Sequence, residues 1–161
     1  MKIQELQIYN AITKKLESVN PVAKSEKEWE RELGPKVCAI MYHKKTERPF
    51  SGDLYHEKRT GLYVCAACGT HLFFSQEKFE SGTGWPSFSD LVHPNNVVFQ
   101  EDRSAFMTRT EVLCARCQSH LGHVFDDGPA PTGKRYCMNS LALRFLPTMP
   151  EKEVGDKNFS Y

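Results

Sequence analysis

The chain has 161 residues, with 21 Lys and Arg against 20 Asp and Glu, a formal net charge of +1. Such balance, with both signs mixed along the chain, argues against a nucleic-acid or membrane surface as the main partner. The length suits one domain with N-terminal additions and is enough to bury a core without disulfides. No stretch reads as a membrane span or a secretory leader, and Glu5 and Glu17 among the N-terminal lysines speak against a transit peptide, so the expected location is cytoplasmic.

Ile3, Leu6, Tyr9, Ile12, Leu16 and Val19 recur at steps of three and four, which predicts a helix over 3–19, ended by Asn20-Pro21. Residues 1–24 are therefore read as a helical extension. Ser25-Glu26-Lys27-Glu28 is a capping box, opening a second helix with Trp29 and Leu33 on one face. Gly34-Pro35 stops that helix and starts a third, through Cys38 and Met41 to about His43.

Beyond Thr46, short runs rich in Tyr, Val, Phe and Thr alternate with Gly, Pro and Asp turns. Predicted strands cover 61–65, 71–75, 97–101, 106–113, 120–125, 136–140 and 141–145. No strand–helix–strand rhythm appears, so the fold class is mainly β with antiparallel sheets. The main domain spans 25–147, and 148–161 is a charged, peripheral tail. A faint repeat links Val64-Cys-Ala-Ala-Cys-Gly-Thr-His-Leu72 to Leu113-Cys-Ala-Arg-Cys-Gln-Ser-His-Leu121. Each copy reads as strand, knuckle, strand.

The knuckles carry four of the six cysteines, as Cys65-x-x-Cys68 and Cys114-x-x-Cys117. Paired C-x-x-C turns offer four thiolates to one tetrahedral zinc ion, with Gly69 and Gln118 at the left-handed position after each second ligand. A site closed by four protein ligands has a folding role rather than a catalytic one. A thioredoxin-like redox pair would need a parallel strand–helix context that is absent.

Cys137 stands outside that set, in Arg135-Tyr136-Cys137-Met138-Asn139-Ser140. On a strand, Arg135, Cys137 and Asn139 share one face. A nearby guanidinium favours the reactive thiolate, and the Asn139 amide can donate to a developing oxyanion. An inert core cysteine is the competing reading. His120 and His123 would alternate faces on a regular strand, but Gly122 permits a bulge that turns both one way, towards proton transfer. Trp85, held extended by Pro86, and Phe88 form either an apolar wall around a small methyl group or a core plug.

Together these residues resemble the methionine-R-sulfoxide reductase (MsrB) family. The similarity runs from about Ser25 to Phe145, through Thr46-Glu-Arg-Pro-Phe-Ser-Gly52, Ser81-Gly-Thr-Gly-Trp-Pro-Ser-Phe88, His120-Leu-Gly-His-Val-Phe125, Asp127-Gly-Pro-Ala-Pro-Thr-Gly133 and Arg135-Tyr-Cys-Met-Asn-Ser140. The resemblance implies two antiparallel sheets in an open, barrel-like β-tent with short N-terminal helices outside, and one structural zinc on Cys65, Cys68, Cys114 and Cys117. It implies that Cys137 attacks the sulfoxide sulfur and becomes a sulfenic acid. His120, His123 and Asn139 then assist the departing oxygen, while Trp85, Phe88 and Arg135 receive the substrate, free or in a protein. Thioredoxin or another thiol would restore Cys137. Family members often carry a recycling cysteine at the position of Thr83 or of Ser51. This chain has neither, which leaves Cys38 as the candidate recycling thiol or else direct reduction from outside. A zinc-stapled β module that only binds a protein partner is the alternative from another class. A zinc deaminase is disfavoured, because no His-x-Glu accompanies a Pro-Cys-x-x-Cys segment.

Overall fold

The computed structural model describes residues 4–148. All of the predicted tail except Thr148 lies outside the described residues, as does the start of the predicted first helix.

Sequence and structure part at the N-terminus. Strands β1 (Leu6–Asn10) and β2 (Lys15–Val19) form an antiparallel hairpin, with Leu6 opposite Val19 and Asn10 opposite Lys15, in place of the expected helix. The turn is set by Asn10, whose Oδ1 accepts from the amides of Ile12 (2.8 Å) and Thr13 (3.2 Å). Tertiary bonds then hold the hairpin in place. Asn96 pairs with the Tyr9 backbone on both sides, its Oδ1 accepting at 2.8 Å and its Nδ2 donating at 2.9 Å. The Ala11 amide donates to His71 Nδ1 at 3.0 Å. Ile8 and Ala11 are buried, whereas Ile12 and Leu16 of the supposed helical stripe are exposed. The three-four spacing was accidental, and specific docking outweighed a weak local pattern.

Helices α1 (Glu26–Leu33) and α2 (Pro35–Met41) form where the caps predict. Ser25 Oγ accepts from the Glu28 amide at 3.2 Å, Gly34 turns the chain at φ +82°, and Pro35 opens α2. Trp29, Cys38, Ile40 and Met41 face inward.

Two further antiparallel sheets make the body, an open arrangement rather than a closed barrel. One orders its strands β5 (Lys78–Phe79), β6 (Ser87–Phe88), β10 (Arg135–Met138), β9 (His120–Phe125), β8 (Arg109–Cys114) and β7 (Val97–Asp102). The other orders β11 (Leu143–Pro147), β3 (Gly61–Cys65) and β4 (His71–Phe74). Predicted strands match except at their ends. The run 106–113 starts later, because Ser104–Phe106 is a tight turn, and the two-residue strands β5 and β6 are too short to show a period. Tyr63, Leu72, Phe73, Phe88, Val112, Leu121 and Met138 pack between the sheets, fully buried. Phe88 stacks on Phe73 with centroids 4.2 Å apart. That corrects its expected role: Phe88 is core, not part of a substrate wall.

Candidate active site

Cys137 sits mid-strand in β10, opposite Ser87 of β6 and His123 of β9. Its strand borders a cavity of about 250 Å³, walled by Trp85, Thr83, His123, Arg135 and Asn139. Arg135, Cys137 and Asn139 all line it, but β10 ends at Met138, so Asn139 reaches the cavity from the turn that follows rather than from the strand. Burial pushes the Cys137 thiol above its ordinary value, and the Arg135 charge and a Thr83 hydrogen bond only partly oppose it. The guanidinium acts in the anticipated direction but does not win.

Arg135 is itself fixed. Its Nε and Nη2 meet Asp127 at 2.9 and 3.1 Å, and its guanidinium lies 4.4 Å from the Phe125 ring centroid. Asp127 raises the Arg135 pKa further, so it stays a permanent cation.

The two histidines do turn to one side, their rings 5.4 Å apart and edge-on. The cause is a bulge: Val112 pairs with Gly122 and Leu113 with His120, leaving Leu121 without a partner in the ladder. The glycine has a different purpose. Strand β4 has the same bulge, since Tyr63 pairs with Phe73 and Val64 with His71, and no glycine follows it. Gly122 is needed because a Cβ there would lie 2.1 Å from the Cys137 carbonyl oxygen.

His123 lines the cavity, and its Nε2 meets Asp102 Oδ2 at 2.7 Å. His123 and the Ser104 amide hold the Asp102 carboxyl well below the usual carboxylate range. His120 is buried beside it, with Nδ1 2.6 Å from Glu111 Oε2, and Lys44 Nζ reaches Glu111 Oε1 at 3.2 Å. Burial lowers the His120 pKa, with Glu111 pulling it back up. The other ring nitrogen of His120 has no partner among the described residues.

Asn139 is less free than its sequence position suggests. Oδ1 accepts from the Glu47 amide at 3.0 Å, and Nδ2 donates to the Leu121 carbonyl at 3.2 Å. One N–H remains for the cavity. Trp85 Nε1 donates to the Glu47 carbonyl at 3.1 Å, which fixes the indole as a cavity wall. Cys38 packs in the core on α2, 3 % exposed, and does not line the cavity; burial raises its thiol pKa.

Sequence reasoning missed Glu47, Asp102, Glu111 and Arg109. Glu111 left a signal, an acid inside an otherwise buried strand run, Val112-Leu113-Cys114. Glu47 lies in the Thr46–Gly52 stretch, where no local spacing marks it.

The four knuckle sulfurs lie within 4.8 Å of one another, with Cys65–Cys117 at 3.7 Å and Cys68–Cys114 at 3.5 Å. A tetrahedral ion bound to four thiolates at about 2.3 Å needs sulfurs roughly 3.8 Å apart, so the set fits a thiophilic cation. Gly69 and Gln118 both adopt the left-handed backbone foreseen for them, at φ +80° and +61°.

Comparison with known proteins agrees with this geometry. The model of the SelR domain matches residues 33–147. The peptide methionine sulfoxide reductase MsrB of Methanosarcina barkeri is 60% identical over 136 residues, 84% of this chain and 95% of its own length. The MsrB of Methanosarcina mazei is 57% identical with the same coverage. That of Bradyrhizobium diazoefficiens is 56% identical over 126 residues, 78% of this chain and 91% of its own. The crystal structure of the Mis18 'Yippee-like' domain overlaps 57% of this chain and all of its own at 20% identity and a TM-score of 0.47, too distant to bear on function. Matched over most of its length, the chain belongs to the SelR-domain family of MsrB peptide methionine sulfoxide reductases, and is an oxidoreductase.

Proposed function

We propose that the protein reduces the R epimer of methionine sulfoxide, with Cys137 as nucleophile. One observation carries the reading: the only thiol on the cavity wall, among the described residues, faces an indole and an Asp102-held imidazole. The Cys137 sulfur attacks the sulfoxide sulfur while His123 delivers a proton to the sulfoxide oxygen, with the last N–H of Asn139 donating to it. His120 supports the His123 ring from behind. Oxygen passes to Cys137, which becomes a sulfenic acid and loses two electrons; the substrate sulfur gains them and leaves as methionine. Trp85 packs on the S-methyl group and so selects the epimer, and Arg135 orients the incoming polar groups.

The core position of Cys38 favours reset by an external thiol. One such thiol condenses with the sulfenic acid, releasing water and forming a mixed disulfide; a second restores Cys137. Thioredoxin is the expected donor. The knuckle cysteines hold one structural zinc ion, which fastens two hairpins and takes no part in the chemistry. Six unbridged cysteines suit the reducing cytoplasm. Among the described residues no helix is long and apolar enough to cross a membrane.

The test is turnover of each epimer with dithiothreitol. Wild type consumes the R epimer and Cys137→Ser consumes neither. Turnover of the S epimer alone, or none with Cys137 inert to iodoacetamide, refutes the assignment, and the second result favours a binding module.

A further inference from the structure

The hairpin joining β7 to β8 ends beside the Cys137 cavity. Asp102 and Arg109 form the last pair of its ladder, and Arg109 lines the cavity. Residues 103–108, between them, are all exposed. Phe106 has an exposure of 107%, above every other large apolar side chain described, and its neighbour Met107 is 51% exposed. Ala105 and Phe106 both adopt left-handed backbone, at φ +54° and +59°, a conformation disfavoured for side chains with a Cβ. Among the described residues nothing compensates for this arrangement, since an aromatic ring held wholly in water buries no surface of its own. Unfavourable backbone at a functional rim is a reason to look for a ligand.

The tip is also tied to the chemistry. Asp102 Oδ1 accepts from the Ser104 amide at 2.9 Å while Oδ2 holds His123 at 2.7 Å. The Met107 amide closes the turn on the Ser104 carbonyl at 3.1 Å. Phe106 therefore stands in a fixed relation to the proton donor rather than on an unattached loop.

We propose that Phe106 and Met107 dock apolar residues flanking methionine sulfoxide in an unfolded polypeptide. The inference rests on the reading of the cavity as a methionine sulfoxide site. A cavity of about 250 Å³ holds one side chain, so the substrate backbone and its neighbours must lie on the rim. Extended chain advances about 3.3 Å per residue, which brings the first neighbours alongside the cavity mouth where the tip begins. Methionine is a core residue whose neighbours are often apolar, and an unfolded chain offers them together. Charge on the tip favours a peptide over a lipid surface. Arg103 pairs with Glu101 and Arg109 with Asp102, so no free basic cluster meets anionic headgroups.

The experiment compares three substrates with dithiothreitol as reductant: a short peptide with leucines beside methionine-R-sulfoxide, the same peptide with aspartates there, and N-acetyl-methionine-R-sulfoxide. Wild type prefers the leucine peptide. Phe106→Ala lowers that preference about fivefold, mostly through KM, as expected for one lost aromatic contact, and Phe106→Leu restores most of it. The proposal is overturned if wild type shows no flank preference, or if Phe106→Ala scales all three substrates equally or leaves the preference intact. It is equally overturned if Phe106→Ala changes only vesicle binding or self-association. Failure of wild type on every substrate would instead refute the proposed reaction.

Discussion

The amide of Glu47 donates to Asn139 Oδ1 across 3.0 Å, and the carbonyl of the same residue receives the Trp85 indole N–H at 3.1 Å. One residue thus clamps two walls of the cavity. Its own carboxyl is buried, with Oε1 accepting from the Leu141 amide at 3.0 Å, and burial raises its pKa, which favours the neutral acid. Glu47→Ala leaves that amide unpaired and should destabilise the fold by about 1–3 kcal/mol. Glu47→Gln retains a neutral acceptor and should cost less than half as much. Urea denaturation decides: equal midpoints for wild type and Glu47→Ala would show that the carboxyl does not hold the clamp.

The Cys137 thiol should be slow to alkylate at neutral pH. Because burial raises its folded pKa, the thiolate fraction grows only as pH passes above the ordinary thiol range of about 8.5. Arg135 opposes that rise, so Arg135→Ala should move the alkylation midpoint higher still. A midpoint that falls in the variant would contradict the electrostatic account.

Thr83 lies on the cavity wall with Cys137, and its hydroxyl opposes the rise of the thiol pKa. Thr83→Cys should therefore supply an internal resolving thiol. After one turnover without reductant, mass spectrometry should find a disulfide between position 83 and Cys137, in place of the sulfenic acid proposed for wild type. Persistence of sulfenic acid in the variant would mean that loop and nucleophile do not meet.

Removing the metal should unfold the domain rather than silence an intact enzyme. Structural zinc binds with an apparent free energy of about 10–16 kcal/mol, comparable with the roughly 5–15 kcal/mol that stabilises a whole domain. Cys114→Ser or a strong chelator should abolish the cooperative melting transition, with one zinc per chain lost by elemental analysis. A metal-free chain that melts like wild type would refute the staple.

The knuckles, both helix caps and the strand holding Cys137 were legible because each rests on local chemistry: ligand spacing, capping donors and period-two alternation. The groups behind Cys137 were not. Asp102, Glu111 and Lys44 reach the histidines only through strand register and packing, which no local spacing encodes. The hairpin at Leu6–Val19 was misread for the same reason, since Asn96 and His71, distant in sequence, settle its conformation. Phe88 was placed in the right loop, yet a stacking partner on another strand drew it into the core.

The two knuckle units are near-copies down to fine detail. Each has a bulge at the leucine after its histidine, at Leu72 and Leu121. In each, a hydroxyl approaches the second sulfur, Thr70 to Cys68 at 3.1 Å and Ser119 to Cys117 at 3.2 Å. They differ in what the histidine Nδ1 meets: the Ala11 amide for His71, the Glu111 carboxylate for His120. A symmetric frame has thereby acquired a division of labour. One copy moors the N-terminal hairpin, the other stands behind the proposed reaction site, and the shared cysteine cluster holds mooring and workshop at a constant distance.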